Sequence, residues 1–297
     1  MRALCVTVDL DRDVNIPIPG SNAAGSADRG NGTAPRFSSS ERGLSLLADL
    51  FDELSIKATF FAEAATLRRT DAGKLSGHEV GVHGVDHEDF TLIKGADEKR
   101  AILREAVDTV KDAVGKPPGC FRSPYMKADQ ETIDMLPEFG IRIDSSRHTE
   151  MASSLIPKYT DSRVLDIPVP EGRDAGGKKI SAYLWPMHES KRGPEDYLRM
   201  ASVMEEGAFV IATHTWHMVE SRERGLMSKD EAERNADNVR KVLEGIMDMD
   251  MRPSTMTDVR KELADERRTA PLGGKVIGHR DPVTGKIELF DDNKKKG

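Results

Sequence analysis

Leu4-Cys5-Val6-Thr7-Val8, halted at once by Asp9-Leu10-Asp11, is the stretch on which the fold of this chain turns. It is a short apolar run that stops at two carboxylates. Similar runs, each bounded by polar or turn residues, recur at 57–61, 79–82, 141–143, 164–169, 180–185 and 209–212. Helical patterns lie between many of them. Leu44, Leu47, Leu50, Phe51 and Leu54 repeat at three and four residues behind the cap-like Ser38, Ser39 and Ser40. Ile102, Ala106, Val110 and Val114 do the same within 99–114, which ends at Gly115 ahead of Pro117 and Pro118. Residues 131–139, 194–204 and 229–247 read alike. Strands alternating with helices predict parallel pairing and an α/β architecture. Seven or eight such units fit a (β/α) barrel better than an open doubly wound sheet, which is the alternative.

The chain has 297 residues, 37% apolar and 32% charged, enough to bury a sizeable core and too apolar for a disordered polyampholyte. Its 44 Lys and Arg against 51 Asp and Glu leave a net charge of −7, which provides no field for nucleic acid or an anionic membrane. No apolar run approaches the roughly 20 residues that span a bilayer. The run at 4–8 meets Asp9 too soon for a signal-peptide core, so a cytoplasmic protein is expected. Cys5 and Cys120 form no spaced cluster and read as buried small side chains. Two segments break the rhythm. Residues 17–35, rich in Gly, Ser, Asn and Ala, read as a long loop after the first strand, either shaping a site or making a surface excursion. Beyond 270 the pattern becomes a small hairpin and then a basic tail at 294–296. The expected division is therefore a barrel over 1–265 and a hairpin with tail over 266–297.

Reactive side chains fall where the apolar runs end. Asp9 and Asp11 follow the first run, His83 and His87 follow 80–82, Arg122 follows Phe121, Asp144 follows Ile143, and His214 follows 211–213. The carboxyl ends of parallel strands converge on one face, so these distant residues are expected in one cleft. His83-Gly84-Val85-Asp86-His87 sets two imidazoles four residues apart, and Asp11 would complete a 2-His-1-carboxylate set with open positions. Histidines so spaced also occur as solvated or capping pairs. Gly84 stands where the zinc-protease helix needs Glu, so that pattern is excluded. Asp9 and Asp11, two apart, share a face on a regular strand, and close carboxylates repel unless a cation divides their roles into ligand and base. Arg122, ahead of Ser123-Pro124-Tyr125, is the candidate to keep the base ionised. The alternative is a strand-end Asp pair capping a loop. Trp185, Trp216, Tyr183 and His217 suit either a sugar-stacking cleft or core packing, and His188 reads as a polar loop residue.

Together these segments resemble the polysaccharide deacetylase family, metal-dependent esterases and amidases that act on chitin, peptidoglycan and xylan and share a distorted (β/α) barrel. The five family motifs are approximated in order by Thr7-Val8-Asp9-Leu10-Asp11, His83-Gly84-Val85-Asp86-His87, Phe121-Arg122-Ser123-Pro124-Tyr125, Ile143-Asp144-Ser145-Ser146 and Ile211-Ala212-Thr213-His214. The likeness runs from the first strand to about Arg260. It implies a distorted barrel of about seven strands, with Asp9 as catalytic base, Asp11, His83 and His87 as metal ligands, and Arg122 as the partner of the base. It further implies His214 as general acid, the main-chain N–H of Tyr125 as an oxyanion donor, and Asp144 as the residue orienting His214. Three departures stand out. Leu10 separates aspartates that are adjacent in common members, a variant associated with intracellular relatives that include enzymes of cyclic amides. Gly84 replaces the Ser or Thr that fastens the His loop, and the Trp of the fourth motif is absent.

The expected activity is metal-dependent removal of an acetyl group from an N-acetylated sugar or polysaccharide, with a divalent metal, zinc first, as cofactor. Hydrolysis of a small cyclic amide or imide by the same residues is the enzymatic alternative. A metal- or sugar-binding module without turnover is the alternative from another class. The expected partner is a small-molecule or glycan substrate, and a homo-oligomer is compatible with the sequence.

Overall fold

Ala3 to Leu10 are all buried, so the first strand has no solvent face, and this is why its apolar residues run on instead of alternating. The computed structural model describes residues 1–13, 36–222 and 224–269, together with two strands near the C-terminus. Seven strands lie side by side and parallel: β1 (Arg2–Leu10), β2 (Thr59–Ala62), β3 (Glu79–Val82), β4 (Cys120–Phe121), β5 (Ile143–Asp144), β6 (Leu165–Asp166) and β7 (Glu206–His214). Their spatial order is β7-β1-β2-β3-β4-β5-β6. Ser154–Leu155 adds to the outer edge of β7 and, after Ile156 and Pro157, Lys158–Tyr159 adds antiparallel to the outer edge of β6. A two-residue step between opposite edges is possible only because the sheet curls round to bring them together. The distorted barrel expected from the sequence is thus what forms, with β6 and β7 bridged by this segment and not paired directly.

Helices cover the outside. α1 (Ser38–Glu53) buries Leu44, Leu47, Leu50 and Phe51. α2 (Ala96–Val114) buries Leu103, Ala106 and Val110 and stops at Gly115, whose φ of 72° is open to glycine at little cost. α3 (Lys229–Met247) begins with a capping box between Ser228 and Glu231. The start of α1 departs from expectation. No serine caps it locally; Asp13 does, accepting from Ser39 N at 2.9 Å and Ser40 N at 2.7 Å. The run 180–185 also differs. Only Lys179–Ser181 is a strand there, antiparallel to Val169–Arg173 in a separate three-stranded sheet, and Trp185 begins a short helix.

Both cysteines are buried and unpaired. Among the described residues no helix is long and apolar enough to cross a membrane. The chain divides into two compact units, Met1–Arg260 and Lys261–Gly297, and in the second Val276–Arg280 pairs antiparallel with Ile287–Asp291. Residues 17–35 and the tail at 294–296 lie outside the described residues.

Candidate active site

Asp9, His83, His87, Tyr125 and His214 line one cavity of about 350 Å³ at the carboxyl ends of the barrel strands, with Asp11 and Arg122 directly behind them. Ligand atoms of Asp11, His83 and His87 all lie within 4.8 Å of one another, and His87 Nε2 is 3.4 Å from Asp11 Oδ2. Both carboxylate oxygens of Asp11 are buried without a hydrogen-bond partner. Burial, reinforced by Asp9 and Asp13, pushes its carboxyl up to about 7, against a smaller opposing pull from His214. An orphaned buried carboxylate beside two imidazoles is the surrounding a divalent cation would complete. His83 donates from Nδ1 to the Arg122 carbonyl at 2.8 Å, which leaves its Nε2 lone pair for a metal. Burial pushes both His83 and His87 down to about 4, so each is the neutral imidazole that ligation needs.

The loop carrying the two histidines is fastened in a way the family's Ser or Thr would not predict. Glu88 accepts from the main-chain N–H of Val85 and of Asp86, each at 2.9 Å. Gly84 has φ 75°, a left-handed backbone that glycine adopts without strain. Arg12 ties the loop to β1, donating to Glu63 and, at 2.9 Å, to Asp86.

Asp9 is held at both oxygens. Arg122 Nη1 donates to Oδ1 at 2.9 Å and Tyr183 Oη donates to Oδ2 at 2.5 Å. Burial alone would raise its pKa, but Arg122, with help from His83, His214 and the Tyr183 hydrogen bond, overcomes this and lowers it to about 2. Arg122 is fully buried, lies over the Phe61 ring, and also donates to Thr7 Oγ1, Ser145 O and Ser145 Oγ. Its planar fork is therefore spent on protein groups.

His214 Nε2 is 3.8 Å from Asp9 Oδ2, while its Nδ1 is buried and unpartnered. Burial lowers its pKa, with the nearby Asp11 and Asp9 opposing. Asp144 does not reach it: that carboxylate accepts from Ser146 N at 3.2 Å and Ser146 Oγ at 2.5 Å. Tyr125 packs its ring edge on His87, centroids 4.5 Å apart, and both Tyr125 (φ 59°) and Met126 (φ 57°) hold left-handed backbone, a strain that marks a tightly shaped turn.

Sequence reasoning missed several groups. The Tyr183 contact to Asp9 joins residues 174 apart in the chain, and no local pattern signals it. His188, expected as a polar loop residue, instead ends the short helix Trp185–His188 and is buried, bonded to Asn235 at 2.5 Å and Thr213 at 2.7 Å. His217 bonds Glu189 at 2.8 Å and stacks on the buried Trp216, so both serve as packed wall, whereas Trp185 is 36% exposed at the rim.

Residues 39–143 match the family model described as polysaccharide deacetylase. Over 123 residues the chain is 28% identical to a peptidoglycan deacetylase of Helicobacter pylori, a match covering 40% of this chain and 41% of that protein, so the chain spans less than half the length of this curated relative. A solved structure from Mycobacterium smegmatis described as a polysaccharide deacetylase superposes with a TM-score of 0.63 at 19% identity, over 89% of this chain and 91% of that one. A Bacillus anthracis protein described as a CE4 family pseudoenzyme superposes with a TM-score of 0.51 at 10% identity, over 87% and 65%. At such identities the likeness shows a shared fold, and the pseudoenzyme shows that the fold does not by itself guarantee turnover.

Proposed function

We propose that the chain, whose residues 39–143 match the polysaccharide deacetylase model, is a member of that family and a metal-dependent hydrolase that removes the acetyl group from an N-acetylated sugar, free or within a glycan. The observation that carries this reading is the pairing of two carboxylates in opposite states. Asp11 is buried with neither oxygen bonded beside two neutral imidazoles, while Asp9 is ionised and tethered to Arg122. A divalent cation, zinc by its affinity for imidazole and carboxylate together, would be held by Asp11, His83 and His87 and would supply Lewis-acid polarisation of the acyl carbonyl.

The remaining chemistry belongs to the chain. Asp9, anionic and fixed in orientation, takes the proton from an attacking water. Arg122 keeps Asp9 ionised and in place. His214, facing the same cavity 3.8 Å from Asp9 Oδ2, protonates the departing amine. The turn at Tyr125 offers main-chain N–H to the developing oxyanion. A cytoplasmic location belongs to the same proposal.

The test is a substrate panel. Protein stripped with a chelator and refilled with zinc should release acetate from N-acetylated sugars or glycan fragments and lose this activity when stripped again. Ring opening of cyclic amides without acetate release would transfer the same residues to that alternative. Tight zinc binding with no turnover on any substrate would make the protein a binding module.

A further inference from the structure

We infer that Tyr183 is a positioning residue for both the base and the acid of this reaction; the inference rests on the deacetylase reading above. Its hydroxyl and the Arg122 guanidinium occupy one oxygen each of Asp9, at 2.5 and 2.9 Å, so the carboxylate cannot turn about its own axis. A carboxylate oxygen has two acceptor directions, and Oδ2 can hold Tyr183 while accepting a proton from a water in the cavity that Asp9 lines. The other contact of the hydroxyl, to Met126 Sδ at 3.7 Å, is weak.

The ring of the same tyrosine serves His214. The two rings stack with centroids 5.4 Å apart at 29°, and Trp216 adds a tilted contact at 5.6 Å. Among the described residues no carboxylate orients this imidazole through Nδ1, since that atom has no partner and Asp144 is engaged with Ser146. Ring packing therefore sets its orientation.

Tyr183 can do both because of where its backbone runs. It bridges to Ala212 on β7; Leu184 N donates to Ala212 O at 2.8 Å and Ala212 N to Ala182 O at 2.9 Å. Tyr197 Oη donates to the Tyr183 carbonyl at 3.1 Å. The tyrosine thus rides on the strand that ends, two residues later, in His214. The residue is buried, 7% exposed, with its ring packed against His214.

Two variants separate the two roles. Tyr183→Phe keeps the ring and removes the hydroxyl that fixes the base. Its kcat should fall about ten- to a hundredfold, equally for an amide and for an activated ester, with KM and zinc affinity unchanged. Tyr183→Leu also removes the ring, so a further loss should appear with the amide alone, because an activated ester needs no proton on departure. Wild-type kcat in Tyr183→Phe, or a rise in KM with kcat intact, would overturn the inference, as would equal further losses for amide and ester in Tyr183→Leu. Failure of the underlying reading looks different: wild-type protein then releases no acetate from any substrate, and the positioning role falls with it.

Discussion

Two aspartates two positions apart have been driven to opposite electrostatic states. Burial acts on both, but Asp9 receives Arg122 and Tyr183 and is lowered to about 2, whereas Asp11 receives neither and is raised to about 7. In the proposed reaction this difference suits Asp9 to proton abstraction and Asp11 to a cation. It also predicts how their partners respond to change. Arg122→Lys keeps the charge but cannot reach Asp9, Thr7 and Ser145 together, because an ammonium lacks the planar fork. Steady-state kinetics should show kcat reduced with KM unchanged; a raised KM alone would mean that Arg122 holds substrate instead. On the ligand side, Asp11→Ala, His83→Ala and His87→Ala should each lose stoichiometric metal after dialysis while keeping a native circular dichroism spectrum. Full metal content in all three would remove them as ligands.

Among the elements, β5 and β6 hold the next pair of acids. Asp144 and Asp166 face each other in register on neighbouring parallel strands. Burial, with Asp166 adding, raises Asp144 to about 7 against the Ser146 hydrogen bonds. A carboxyl raised above its unfolded value of about 3.9 is kept protonated by the fold, so its stabilising contribution is complete below about pH 4 and is lost as pH rises to about 7. Asp144→Asn is neutral throughout. Urea unfolding should therefore show this variant gaining on the wild type between about pH 4 and pH 7, by an amount on the order of 2–4 kcal/mol. Parallel curves would mean that Asp144 ionises normally in the fold. The same elements show what the sequence discloses and what it hides. Strand ends are visible locally as an apolar run meeting a polar residue, which is why Asp9, His83, Arg122 and His214 could be placed together from the sequence. β5 and β6 are two paired residues each, although the apolar stretches 141–143 and 164–169 are longer, so the length of a strand is not legible from its apolar run. Tyr183, the Asp13 cap of α1 and the Arg12 tie to Asp86 depend on partners 174, 26 or 27, and 74 residues away, and no periodicity encodes such contacts. Glu88 lies close to the loop it grips, but its role appears only once Gly84 has turned the chain back toward it.

For the whole barrel, a site built from the ends of β1 and β3, with β2 between them, exists only when the chain is folded. A cation that binds there binds the native state alone. It should stabilise that state by about 2.7 kcal/mol at a hundredfold excess over Kd, roughly 5–10 °C in Tm for a domain of this size. Without the cation the same site works against the fold, because Asp11 keeps two buried oxygens with no partner and an uncompensated buried charge is strongly destabilising. Asp11→Asn removes that charge at nearly constant shape, so the wild type and the variant should respond in opposite order. In chelator at about pH 8, above the value of about 7 to which burial pushes Asp11, the variant should melt above the wild type. On adding zinc, the wild type should rise and the variant should stay where it is. A wild type that ignores zinc, or a variant that rises as far as the wild type, would show that this cluster is not the metal's site. The expected crossing follows from one physical fact, that a residue kept for a ligand is a liability to the fold until the ligand arrives.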